Sequence, residues 1–355
     1  PPASMTSNVP VKRPYALLLL IIASAVLIEV ALFLIGARTP PDRVLGIAQK
    51  IFYFHVGSAF AMLLALSCGA VFSLVDLVKQ HDKADAIARA CIEVGCVFGA
   101  MVLTSGPLWA RKSWGAYWTW EPRLTLTLLT FLLAISVLAV RGMAPTSLAG
   151  RRAGAAMAVM AAPAAYLIHV AVRLWGGNHP QVVQGGGGGI QNAEMRMAFT
   201  VSVIAVLSFA VCMVFVRYRG LRLQQAAADL RLRLSAQAVR AARSVSAGAA
   251  IATTVAMAFA TTVAKASVVG MVLAMPSQAW AEAAAQDLSK YKEESVPGGT
   301  LLALAYMVMW AMIAIFMVRT VLAQAKAEAE VRDLSERLEL IEEDGAAANT
   351  SEPNP

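Results

Sequence analysis

Charge is what this sequence lacks most for its size. Only 15% of its 355 residues are Asp, Glu, Lys or Arg, against 58% hydrophobic, a balance that excludes an ordinary soluble domain and indicates a polytopic membrane protein. The formal charge of +8 does not argue for nucleic acid, because most bases stand beside apolar runs, where the positive-inside rule expects them. Cysteine is scarce as well, and Cys68, Cys91, Cys96 and Cys212 all lie within apolar runs. Their closest pair is spaced C-x4-C, which fits neither a zinc pair nor a C-x-x-C redox motif, so they read as packing residues. There is no self-similarity at a spacing of roughly 20 to 50 residues, which argues against a solenoid.

What the sequence does contain is long apolar runs. A helix needs about 20 such residues to cross the hydrocarbon core. The first run extends from Tyr15 to Gly36 behind Lys12 and Arg13, which predicts a cytoplasmic N-terminus; it lacks a small-residue cleavage site and reads as a true span. Asp42 to Phe54 places Val44, Leu45, Ala48, Ile51 and Phe52 on one helical face, predicting an amphipathic helix along the outer surface that ends at His55. Further spans are expected over Gly57 to Val78, Ala90 to Ala110, Leu124 to Val140, Ala153 to Trp175 (interrupted by Pro163) and Met197 to Val216. A basic helix-prone tract follows, from Arg217 to Arg243. The small-residue run Ser246 to Met275 ends in Ala279-Trp280-Ala281, the form of a signal-peptidase site, and is either a further span or a cleaved internal signal. A last span, Leu301 to Val318, leads into an amphipathic or coiled-coil helix stepping by three and four from Ala323 to Ile341. The expected fold class is all-α, a polytopic transmembrane bundle with a six-span core and one or two C-terminal spans, both termini cytoplasmic. The organisation is a six-span module over 1–220, a linker with the signal-like segment over 221–300, and a single-span module over 301–355.

Three of seven tryptophans fall in the short stretch Trp114-Gly115-Ala116-Tyr117-Trp118-Thr119-Trp120-Glu121-Pro122-Arg123, just after Trp109. Interfacial Trp and Tyr commonly anchor membrane proteins, and that reading stands beside a functional one. The span order puts His55, this stretch and His179 on the same outer side. Imidazole is a good iron ligand and paired axial histidines hold heme; Trp114, Trp118 and Trp120 offer apolar surface, and Arg111, Lys112 or Arg123 offer charge for propionates. His81 sits in a charged turn and reads as solvated, and His169 as a packed or supporting polar residue. Glu121 can cap the next helix, orient a neighbour or pair with Arg123.

Ser105-Gly106-Pro107-Leu108-Trp109 and the run from Trp114 to Thr125 resemble the tryptophan-rich signature of the WWD heme-handling family of cytochrome c maturation system I. Phe52 to Val56 and His169 to His179 resemble the segments that carry that family's two outer histidines, and the likeness covers residues 15 to 220. It implies an inner-membrane protein of lyase or chaperone type. Non-covalent b-type heme would be bound through His55 and His179 as axial iron ligands, over Trp109, Trp114, Tyr117, Trp118, Trp120, Glu121 and Arg123. The implied partners are the periplasmic heme chaperone CcmE and the transporter subunits CcmA and CcmB. Ala305 to Trp310 and the following charged helix resemble the small partner CcmD, supplied here in cis. The sequence departs from the family in having Glu121 where the motif usually has Asp. The cytochrome c synthetase branch of the same family is an alternative. So is a transporter or channel with an aromatic belt, which would need a charged lining at the midplane.

Overall fold

The computed structural model describes residues 15–42, 45–143, 147–179, 190, 192–245 and 297–350. Eight α-helices account for most of these: α1 (Tyr15–Phe33), α2 (Ile51–Lys79), α3 (Asp82–Trp114), α4 (Pro122–Met143), α5 (Leu148–Val159), α6 (Ala161–Trp175), α7 (Ala193–Val245) and α8 (Gly298–Thr350). No β-strand occurs among the described residues. Seven stretches of them, with α5 and α6 counted together, are long and apolar enough to cross a membrane. Helices satisfy their own backbone polar groups, the condition lipid imposes on a spanning segment. Their outward faces carry large apolar side chains, including Leu19 and Ile22 on α1, Leu132 on α4, Phe215 on α7 and Ile315 on α8. Such a surface suits a bilayer and would be a liability in water. The exception is Glu29, an exposed acid at the middle of the first span.

The expected spans are found with longer ends, and two local readings change. Asp42 to Phe54 is not a surface helix: Ile47–Lys50 is a 3-10 turn leading directly into α2, and Ile51, Phe52, Tyr53 and Phe54 are buried. Their apolar stripe faces protein because α8 and α3 pack on that turn, whereas the sequence pattern alone could equally face lipid. The break in the fifth span falls at Met160, because Pro163 cannot donate a hydrogen bond to the carbonyl of Val159. The segment ending at Ala281 lies outside the described residues.

The bundle is built on the α2–α3 hairpin, closed by Gln80 in a left-handed conformation. Small residues bring the two helices together, as in many membrane bundles. A Cβ on Gly69 would stand 2.9 Å from Ile92, and one on Gly95 would stand 2.6 Å from Leu66. α7 and α8 run parallel: Phe199 stacks on Phe52 at one end of the bundle, where Tyr306 meets Phe54, and Arg231 pairs with Glu330 at the other.

That second end is clamped by ion pairs. Arg151 of α5 grips Asp76 of α2 with two nitrogens and reaches Asp82 of α3 at 2.6 Å. Arg141 of α4 donates to Asp85 of α3 at 2.5 Å, and Arg217 of α7 holds Glu93 of α3 through two nitrogens. Arg151→Ala leaves Asp76, only 3% exposed, without its bidentate partner. It should cost about 3 kcal/mol, read as a lowered melting temperature of the detergent-purified protein. Asp76→Asn added to Arg151→Ala should recover part of the loss.

Candidate functional site

At the opposite end a cavity of about 380 Å³ opens between α2, α3, α4 and α6. His55, Val56, Phe60 and Leu63 form the α2 wall, and Val102, Leu103, Gly106, Trp109 and Trp114 the α3 wall. Trp118 closes it from the loop after α3, Leu124 and Thr127 from α4, and Ile168 from α6. Arg123, His169, Arg173 and His179 add the polar groups. The walls descend about 12 Å along α2 from His55 to Leu63, eight residues at the helical rise.

His55 lies one turn inside α2, not ahead of it. Its Nδ1 is 2.9 Å from Ser105 Oγ, and that hydroxyl lies 2.6 Å from the carbonyl of Met101. A serine has one proton to give; donated to Met101, it leaves Oγ to accept from His55 Nδ1–H. The neutral ring then carries its lone pair on Nε2. Gly106 makes this placement possible, because a Cβ there would be 3.1 Å from His55 Cε1. Neither the serine nor the glycine looked functional by residue type, although both stand in the Ser105-Gly106-Pro107 run.

The tryptophan stretch divides by geometry. α3 ends at Gly115 in a left-handed conformation (φ 78°), and Arg111 secures the turn by donating to the Gly115 carbonyl and lying over the Tyr117 ring. Trp109 packs edge-on against Trp114 with centroids 5.8 Å apart, and Trp114 against His179 at 6.4 Å. Trp109 is also fixed by donating to Gln49 at 3.2 Å. Trp109, Trp114 and Trp118 therefore line the cavity. Tyr117 and Trp120 do not; both are at least half exposed, although Trp120 still touches Trp118 edge-on. Of the three cations offered for an anionic group, Arg123 lines the cavity, and Arg173 of α6 joins it where Arg111 and Lys112 do not.

Pro122 starts α4, its fixed φ suiting a first helical turn, and the residues on either side of it reach towards the end of α6. Arg123 donates to the carbonyls of Ile168 at 3.2 Å and His169 at 3.1 Å, and to His179 Nδ1 at 3.0 Å. A guanidinium has no acceptor, so neutral His179 keeps its proton on Nε2. The two imidazoles are thus held in opposite tautomers. Glu121 is fully buried behind the cavity wall. Its side chain turns to the 177–179 segment instead of the first turn of α4, and Oε2 accepts from the Asn178 N–H at 2.6 Å.

The fold and this cavity define an all-helical polytopic membrane protein with a tryptophan-walled pocket lined by three histidines. The chain belongs to the CcmC family, heme exporter protein C, whose profile matches residues 7–233. It is 30% identical over 184 residues to heme exporter protein C of Bradyrhizobium diazoefficiens, covering 52% of this chain and 70% of that protein. It is likewise 30% identical over 207 residues to heme exporter protein C of Escherichia coli strain K12, covering 57% and 82%. α8 lies beyond the matched residues.

Burial pushes the Glu121 carboxyl above its ordinary value of 4.5, against the lowering effect of the Asn178 and His179 N–H groups and of Arg123. With the folded-state pKa above the unfolded one, the native state binds the extra proton between them. Stability is therefore greatest below the ordinary value and falls as pH rises through the raised one. Melting temperature followed from pH 4 upwards should show this fall in the wild type, and Glu121→Gln should flatten it.

Proposed function

We propose that the protein handles heme in cytochrome c maturation, taking non-covalent b-type heme into the cavity between His55 and His179 and presenting it to a CcmE-type chaperone. The observation that carries this reading is the convergence on one cavity of three histidines, His55 and His179 among them, three tryptophans and two arginines. Two imidazoles match the axial positions of heme iron, the apolar walls match a porphyrin face, and Arg123 and Arg173 match two propionates. Heme is the cargo: its iron supplies the coordination sites and its ring the apolar area.

The protein's own part is binding and orientation. His55 offers Nε2 directly, since Ser105 holds its proton on Nδ1. His179 begins with Nδ1 occupied by Arg123. Ligation through Nε2 requires its proton to move to Nδ1, which displaces the guanidinium and frees it for a propionate. Uptake would thereby couple recognition of the anionic edge to closure of the second iron bond. Trp109, Trp114 and Trp118 would flank the ring, with Trp120 and Tyr117 exposed beside it for the membrane interface or the chaperone. No general acid–base pair is needed for such a transfer.

The bases gathered at the ion-paired end, among them Arg141, Arg151, Arg217 and Arg319, support a cytoplasmic position for that end. The cavity would then open at the periplasmic face of the bacterial inner membrane. CcmA and CcmB subunits would be its transporter partners, and α8 would supply a CcmD-like helix in cis. The charged groups of the cavity come from its polar end, which fits a cargo pocket better than a channel with a charged midplane.

The test is the absorption spectrum of the full chain purified from heme-replete membranes. A six-coordinate low-spin spectrum is expected, with His55→Ala and His179→Ala each shifting it to five-coordinate and the double variant losing heme. An unchanged low-spin spectrum in a folded double variant overturns the assignment.

A further inference from the structure

Resting on that reading of the cavity, we propose that Glu121 is a positioning residue for His179, acting through the backbone of the ligand's own segment and not through charge on the cargo. The residue does not line the cavity. It is fully buried, and it sits one residue before the fixed start of α4. From there the side chain receives the backbone N–H of Asn178, the residue before His179, at 2.6 Å.

The segment it receives needs such a fixed point. α6 ends at Trp175, with the Gly176 N–H on the Val172 carbonyl at 3.0 Å. Gly176 and Gly177 then take φ of 77° and 140°, conformations closed to ordinary L residues. Two glycines give no stiffness of their own, so the direction in which His179 leaves α6 depends on what the next N–H groups bind. Glu121 is that acceptor. The fit is close from the other side too, since a Cβ on Gly177 would stand 2.9 Å from Glu121 Oε2. Glycine at 177 thus serves both the backbone angle and the room for the carboxylate.

This accounts for the longer acid in this chain. An aspartate at 121 would be one carbon–carbon bond shorter, about 1.5 Å, and would leave the Asn178 N–H out of hydrogen-bond range with the backbone as it stands. Arg123 completes the hold by fixing the ring, whereas Glu121 fixes the peptide plane just before it. Partners of this kind behind a metal-binding histidine typically contribute 10–100-fold to metal affinity.

The experiment uses the full chain in detergent with bound heme, as wild type, Glu121→Ala, Glu121→Gln, Glu121→Asp and Gly177→Ala. The readouts are the ferric absorption spectrum and the low-spin signal in electron paramagnetic resonance. Glu121→Ala and Gly177→Ala should shift the five- to six-coordinate ratio by about tenfold or more, and added imidazole, replacing the misplaced ring, should restore the low-spin form. Glu121→Gln keeps an acceptor and should recover most of the low-spin fraction, with Glu121→Asp in between. A wild-type spectrum in Glu121→Ala overturns the proposal. So does Glu121→Gln as damaging as Glu121→Ala, which would mean that charge is the active property, or a loss that imidazole does not restore, which would mean collapse of the whole pocket. Failure of the underlying reading looks different: the wild type itself would lack a spectrum that depends on His179.

Discussion

Two helices can bring their backbones into contact only where no side chain stands between them, and α2 and α3 meet that condition along much of their length. Gly69 lies under Ile92, Gly95 under Leu66 and Gly106 under the His55 ring. The last of these ties packing to chemistry. The imidazole can lie on α3 within reach of Ser105 because residue 106 has no Cβ. The serine in turn is set by the Met101 carbonyl one helical turn below it. The tautomer of His55 therefore follows from a helix–helix distance. In lipid such a distance is set by small residues and side-chain fit, because there is no water to drive apolar faces together.

The remaining walls are arranged around that hairpin. At one end the acids of α2 and α3 meet arginines from α4, α5 and α7, which fixes how those helices lean. At the other end the cavity lies between α2, α3, α4 and α6. The tryptophan stretch borders it, and its residues divide between the cavity and the surface. Trp109 and Trp114 belong to α3 and face inward with Trp118, while Tyr117 and Trp120 remain exposed. The left-handed Gly115 turn decides which ring falls on which side.

Hydropathy made the helical architecture legible because each span is a local property of about twenty residues. The outer histidines and the motif could be brought together on paper because span parity alone places them at one end. What could not be read depends on rotation of one helix against another. The stripe from Ala48 to Phe52 has the same pattern whether it faces lipid or protein, and it proves buried. Arg111 and Arg123 are equally close to the motif, yet one secures a turn and the other enters the cavity. Arg173 belongs to the pocket because α6 resumes at Ala161 after the break at Met160. Ser105 becomes meaningful only once His55 is beside it. Glu29, an acid within the first apolar run, faces outward from the bundle, which its place in the sequence does not give.

The C-terminal helix has a bearing on the site that its place in the chain would not suggest. The family match stops at residue 233, inside α7, yet the first turns of the helix that carries His55 are completed by residues well beyond it. Ile51 is buried against Leu301 and Ala305, Gly298 lies on Ala48, and Tyr306 donates to the carbonyl of Lys50 at 3.1 Å. Phe54, next to His55, is flanked edge-on by Tyr306 and Trp310. The Lys50 carbonyl stands at the junction where the 3-10 turn becomes α2, so the tyrosine holds the point from which the direction of α2 is set. The same cluster includes Trp109, whose ring leads through Trp114 to His179. Packing contacts thus lead from α8 to Phe54, the neighbour of His55, and through Trp109 and Trp114 to His179. In packing, α8 is part of the pocket's support.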